Sequence, residues 1–335
     1  MQLLFDVLTE AQVVEEYIKD NVDATETLID AMVAESVPYL IYGGDAYANL
    51  EAEDNFGLSE DNHPGIPKNF LLGDYGETRI RAELYARKHV GTTLANGEAK
   101  LKGVFLRPVF VYGEGERQVT TALLASAKRN DGFVPTFAGA SRSMFQYIYA
   151  GNYANLLIQS MNQLITAPQK CDGEYVYCME DTVSSRFNEF YEPILKAAGA
   201  SFTPPENSYY VAWLKSFTGQ WLARLGLTDS TSNDDKSGSD LTTIAMRFFL
   251  GYAYGFANRK QKLTIPWNPV VSTAEAVKRT VKWTRATFQT RSNVRKIEPK
   301  VQLVLPTKKT EDEYGLSKLD RFDGIGRKDQ VLRMG

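Results

Sequence analysis

The strongest constraint on the fold lies in residues 103–117, GVFLRPVFVYGEGER. Val104, Phe105 and Leu106 form one apolar run and Val109, Phe110 and Val111 a second, parted by Arg107-Pro108 and ended by Tyr112-Gly113-Glu114-Gly115. A short apolar run that stops at a proline and a glycine-rich loop reads as a buried strand. Parallel sheets hold their ligands at the carboxyl ends of such strands, so chemistry is expected around the loops there.

The flanking segments alternate in type. Residues 21–35 place Val22, Thr25, Ile29, Met32 and Val33 at helical spacing, which predicts an amphipathic helix on a sheet. Ser36-Val37-Pro38 ends it, and Tyr39-Leu40-Ile41-Tyr42 follows as a short strand stopped by Gly43-Gly44. Residues 46–74, rich in Asn, Asp, Gly and Pro, read as a long surface loop, and 75–89 as a helix with Ile80, Leu84 and Tyr85 on its apolar stripe. Helices are also expected over 120–128, within 140–164, and over 185–198, 242–257 and 272–287, the last capped by Ser272 with Glu275 near its third position. Another strand is expected over 174–179. Strands alternating with helices predict an α/β fold with a parallel sheet.

Charge and composition remove several functions. The chain has 38 basic against 41 acidic residues, net −3, so no basic field exists to hold nucleic acid. Cys171 and Cys178 read as reduced thiols on one strand, pointing to opposite faces. With only His63 and His89 beside them, no metal site is expected, nor a histidine-dependent triad. The amino terminus MQLLFDVLTEAQ lacks a basic n-region, so no signal peptide is expected and the protein is placed inside the cell. Residues 209–227 put Tyr210, Trp213, Leu214, Phe217, Trp221 and Leu225 on one helical face, which suits a core or lid helix or a peripheral membrane contact. Residues 228–240 form a polar loop, and 291–335 read as a charged, disordered tail.

In their order, the segments NVDATETLIDA, VPYLIYGG, YGETRIRAE, LRPVFVYGEG, FQYIYAGNYANLL, GEYVYCMEDT and PVVSTAEAVKRTVKW resemble the 3β-hydroxysteroid dehydrogenase family, within the extended short-chain dehydrogenase/reductases. The resemblance covers roughly residues 17–290. It implies a Rossmann-like doubly wound parallel sheet, here lacking its first four strands, with a mainly helical C-terminal substrate region. The corresponding division is 1–180 for the nucleotide-binding region, 181–290 for the substrate region and 291–335 for the tail.

The resemblance further implies hydride exchange between NAD or NADP and the CH–OH carbon of a steroid or similar apolar alcohol. The location implied is the cytoplasm or the face of the endoplasmic reticulum, and a homo-oligomer is compatible with it. The family's catalytic Tyr-x-x-x-Lys pair falls on Tyr75 and Arg79, and its upstream Ser or Thr on Asp45. Tyr75 and Arg79 would also meet the cofactor, as would Asn21, matching the asparagine of an NV-x-G-T motif, and Pro108 with Val109, matching the segment beside the nicotinamide.

Three departures point to impaired catalysis. Arg79 replaces a compact ammonium by a planar guanidinium that aims its donors differently. Asp45, when ionised, only accepts hydrogen bonds, and at ~5 Å it would oppose phenolate formation by about 3 kcal/mol; pairing with Arg79 would cancel the cation's help. The Gly-rich turn G-x-x-G-x-x-G is absent, and Gly113-Glu114-Gly115 is not expected to replace it, for want of a strand-glycine-helix context. A non-catalytic descendant binding an apolar ligand or a partner protein is the alternative.

Overall fold

The computed structural model describes residues 14–63, 65–116, 118–138, 143–204, 207–208 and 247–289. The first helix, α1, starts earlier than its apolar spacing suggests: it runs through Val14–Tyr17, loosens into π-type turns over Ile18–Asp23 and continues over Ala24–Ala34. Tyr17, Ile18, Asn21, Thr25, Ile29 and Met32 form its buried face.

Three strands make the central sheet, in the order β1 (Tyr39–Gly43), β3 (Lys102–Pro108), β6 (Tyr175–Cys178), all parallel. The break expected at Arg107-Pro108 falls later: both residues stay in β3, and the chain bends at Val109. After Val109 the chain resumes as β4 (Phe110–Tyr112) and pairs with β5 (Tyr147–Tyr149), so one extended run serves two sheets. Helix α2 (Gly73–Lys88) covers one face of the sheet, meeting Arg107, while α4 (Ala150–Thr166) packs on β1 and β3 from the other. Helices α3 (Gln118–Arg129), α5 (Phe187–Ala197) and, after the short α6 (Arg259–Thr264), α7 (Thr273–Thr284) are in place, with α3, α5 and α7 following the predicted segments closely. The cap on α7 is formed as expected, with Ser272 accepting from the Glu275 amide. A single main apolar cluster draws on residues from Tyr17 to Ala276.

Two segments depart from the sequence reading. Residues 46–74 are not a surface loop. Tyr47 is 1% exposed and lies at the hub of an aromatic cluster, 5.1 Å from Phe248 and 5.5 Å from Phe110 between ring centroids. Strand β2 (Asn55–Leu58) pairs in parallel with β7 (Tyr254–Phe256), contributed by a segment far along the chain. Residues 242–257, expected as one helix, make a π-type turn over Arg247–Gly251 and then β7, where the pairing with β2 satisfies the backbone in place of helical bonds.

Cys171 lies in the turn before β6 rather than on the strand, and both cysteines are free and buried. Residues 209–227 and the 291–335 tail lie outside the described residues.

Candidate active site

At the carboxyl end of β1 the chain folds over the end of β3. The Gly44 amide donates to the Leu106 carbonyl at 2.7 Å and the Ala46 amide to the Pro108 carbonyl at 3.1 Å. Gly44 has little room for a side chain: a Cβ there would lie 3.0 Å from Glu83 Oε2 and 3.3 Å from Arg107 Cγ. Asp45, held between these two anchors, accepts the Tyr47 amide on Oδ1 at 2.8 Å, a local Asx turn. From the other side α2 presses in through Gly76, where a Cβ would sit 2.7 Å from the Ala48 carbonyl.

This approach brings Tyr75 to Asp45. The phenol donates to Asp45 Oδ2 at 3.0 Å, because an ionised carboxylate only accepts. Tyr75 is 1% exposed and meets the Tyr17 ring edge-on at 6.0 Å. Burial and then the Asp45 charge push its pKa well above the usual phenol value, against partial relief from Arg79. Asp45 itself is half-buried.

Arg79, one turn further along α2, does not bridge to Asp45 as a salt-bridge partner; its Nη2 donates to the Gly43 carbonyl at 2.7 Å. Burial disfavours its charge, yet the Tyr75 and Tyr42 phenols and the Asp45 carboxylate outweigh that and hold its pKa above the usual value. Asn21 Nδ2 donates to Thr78 Oγ1 at 3.0 Å, tying α1 to the turn of α2 that carries Tyr75. Pro108 reaches the cluster through its carbonyl on Ala46, whereas Val109 turns its amide to Cys178 at 3.1 Å. The structure thus joins Asp45 and Tyr75 directly, Arg79 through Gly43, Pro108 through Ala46 and Asn21 through Thr78.

Two features were not anticipated. The Tyr153 phenol of α4 would lie 3.7 Å from a Cβ on Gly43, which places a second phenol beside the strand end. Burial raises its pKa. Behind Gly44, Arg107 donates from Nε and Nη2 to the two Glu83 oxygens at 2.9 and 2.8 Å, and its guanidinium lies 4.1 Å above the Tyr175 ring. An arginine inside an otherwise apolar strand was the available signal for a buried partner.

Gly113-Glu114-Gly115 does occupy a strand-glycine-helix turn, between β4 and α3, which corrects the expectation of no such context. It is nevertheless no phosphate cradle. Glu116 accepts the Val119 and Thr120 amides at 2.8 and 3.0 Å, so a fixed carboxylate already fills the anion position at the start of α3. A cleft of about 460 Å³ walled by Tyr112, Tyr147, Phe190 and Val277 shares no lining residue with the Asp45 cluster. Among the described residues no cluster of His, Cys, Asp and Glu is placed to hold a metal ion. No described helix is long and apolar enough to cross a membrane.

The profile of the 3-beta hydroxysteroid dehydrogenase/isomerase family matches residues 3–205. Short-chain dehydrogenase/reductase family 42E member 1 of Danio rerio is 24% identical over 83% of this chain and 70% of its own length. Sterol-4-alpha-carboxylate 3-dehydrogenase, decarboxylating, of Candida albicans is 28% identical over 50% of this chain, which spans 45% of that relative. Among solved structures, MoeE5 in complex with UDP-glucuronic acid and NAD superposes with a TM-score of 0.52 at 16% identity, over 84% of this chain and 76% of that one. This likeness shows a shared Rossmann-type α/β fold.

Proposed function

Since the chain belongs to the 3-beta hydroxysteroid dehydrogenase/isomerase family, we propose that it is an NAD- or NADP-dependent oxidoreductase acting on the CH–OH carbon of a steroid or similar apolar alcohol. The observation that carries this reading is the Tyr75–Asp45 pair at 3.0 Å, set at the carboxyl end of a parallel strand with Arg79 one turn away. Oxidising an alcohol requires a group that takes the hydroxyl proton, and the pair supplies one. The nicotinamide, when bound, supplies the hydride acceptor.

The described residues fit one end of such a cofactor. Arg79 offers a cation beside Asp45 suited to a nicotinamide ribose, while the buried Tyr75 phenol is spent on Asp45 and does not meet it. The Gly113–Gly115 turn does not suit the diphosphate, since Glu116 repels it. We propose a rate below that of relatives with a hydroxyl at position 45, because the phenol is committed to a carboxylate and its pKa is raised. That same commitment favours the second reading, a non-catalytic protein that still binds an apolar ligand. An apolar substrate suits work at a membrane surface, and contact through residues 209–227 on the cytoplasmic face is part of the proposal.

The test is to incubate the purified chain with millimolar NAD or NADP and pregnenolone, following reduced nicotinamide by absorbance. Binding of reduced cofactor is followed by fluorescence. Turnover supports the enzyme, ligand binding without turnover supports the second reading, and absence of cofactor binding overturns the first.

A further inference from the structure

We propose that Asp45 is the catalytic residue that takes the substrate's hydroxyl proton, with the buried Tyr75 acting as a positioning residue that holds the carboxylate. This rests on the oxidoreductase reading and reverses the roles that the family's tyrosine would suggest.

Four observations carry it. First, the direction of the hydrogen bond: the phenol gives its proton to Asp45 Oδ2, so its one acidic proton is directed at the carboxylate. Second, burial: Tyr75 is 1% exposed and packed against Tyr17, whereas Asp45 is half-buried and stands two residues after Gly43, which is exposed at the strand end. A hydroxyl arriving at the carboxyl end of the sheet meets the carboxylate first. Third, pre-organisation: Tyr47 N fixes Oδ1 at 2.8 Å, Tyr75 fixes Oδ2 at 3.0 Å, and the Gly44 and Ala46 amides fix the backbone on either side. Each carboxylate oxygen keeps a further lone pair for a substrate hydroxyl. Fourth, charge: a phenolate at Tyr75 would stand beside an anion, with Arg79 already committed to the Gly43 carbonyl.

The groups around the pair are Arg79 on α2, Tyr17 on α1, Tyr47 in the loop and Tyr153 on α4, so one cation and three phenols share its surroundings. In the step itself the substrate O–H bond breaks and its proton bonds to an Asp45 oxygen. The C–H electron pair leaves as hydride to oxidised nicotinamide dinucleotide, the co-reactant, and the carbonyl forms. Asp45, half-buried at the strand end, returns the proton to water.

The experiment uses the full chain with NAD and pregnenolone, comparing wild type, Asp45→Asn and Tyr75→Phe. Asp45→Asn is expected to lower kcat about 100-fold or more while reduced-cofactor binding is retained, and Tyr75→Phe to keep kcat within about tenfold. The oxidation rate should stay flat with pH where a phenol would ionise. A readout free of turnover is 13C NMR of Cζ-labelled tyrosine, with Tyr75 assigned by its loss in Tyr75→Phe. Its signal should remain that of a phenol past the range in which an ordinary tyrosine ionises, and ionise earlier in Asp45→Asn. A Tyr75→Phe enzyme without activity beside an active Asp45→Asn overturns the assignment, as does a Tyr75 phenolate near neutral pH. A wild type that neither turns over nor binds reduced cofactor overturns the oxidoreductase reading and the assignment with it.

Discussion

Arg107 and Glu83 join the central strand β3 to helix α2 through two hydrogen bonds of 2.9 and 2.8 Å, with side chains only 1% exposed. Because both groups are dry, removing one leaves an uncompensated buried charge. Glu83→Gln is expected to destabilise the fold by about 3–5 kcal/mol, measured by urea unfolding. Burial alone would raise the Glu83 pKa, but Arg107 and then Arg87 outweigh it and hold it below the usual value. A depressed folded pKa contributes stability that is present above about pH 4.3 and lost as pH falls through the folded value. Wild type should therefore lose stability below about pH 4 more steeply than Glu83→Gln.

His63 acts in a different pH window. It is 7% exposed, its ring nitrogens engage the Asn49 carbonyl and the Gly65 amide at 2.9 and 3.1 Å, and burial, then the Arg107 charge, lower its pKa from 6.5 to about 4. The unfolded chain takes up a proton below about pH 6.5 that the folded chain refuses until about pH 4, so stability falls as pH drops through that interval. The loss approaches about 3 kcal/mol. Urea unfolding at pH 7 and pH 5 should show it in wild type and not in His63→Gln; equal pH dependence in both would remove His63 from the account.

How far the sequence foretold this arrangement depends on the range of the interactions. Tyr39–Tyr42, Val104–Val111 and the Ser272 cap were legible because each is set by neighbours within a few residues. The Ala46–Leu72 region was not. Its Asn, Asp and Gly content matches a solvated loop, and nothing local shows that Tyr47 would be packed by Phe248 and Tyr254, or that β2 would find β7. The 242–257 error has the same origin: Phe248 and Phe256 sit at helical steps, but a strand partner some 200 residues away in sequence decides the backbone. At the site, the positions of Asp45 and Tyr75 were anticipated but not their direct bond, because the distance depends on Gly76 letting α2 approach the loop. Arg79 was expected to help or to pair with Asp45, and instead it closes on a backbone carbonyl that no side-chain pattern records.

Arg79→Lys tests whether that closure matters. The arginine fork spends a donor on Gly43 O at 2.7 Å, while a lysine ammonium is a compact, rotatable point charge. Reduced-cofactor binding, followed by fluorescence titration, should tighten severalfold in Arg79→Lys, on the order of one hydrogen bond or about 1 kcal/mol. Weaker binding in the variant would instead make the Gly43 contact part of the binding surface.

Gly76 controls whether the Asp45–Tyr75 pair can form at all. It lies inside α2, where glycine costs about 1 kcal/mol relative to alanine, so a substitution gaining only helix propensity would stabilise the protein. Here a Cβ would come 2.7 Å from the Ala48 carbonyl, a backbone atom, and 3.4 Å from Leu72 and Phe70 side-chain atoms. Ala48 follows Asp45 by three residues, in a loop pinned through Ala46 to Pro108, so the strain falls on the distance between α2 and that loop. Gly76→Ala should therefore lower stability by about 1–3 kcal/mol, the usual cost of an overpacked contact, instead of gaining the helix term. It should also lengthen the Tyr75–Asp45 bond, freeing the phenol to ionise at lower pH in the tyrosine NMR titration. A stabilised Gly76→Ala with an unchanged Tyr75 titration would show that the close approach is not what holds the pair together.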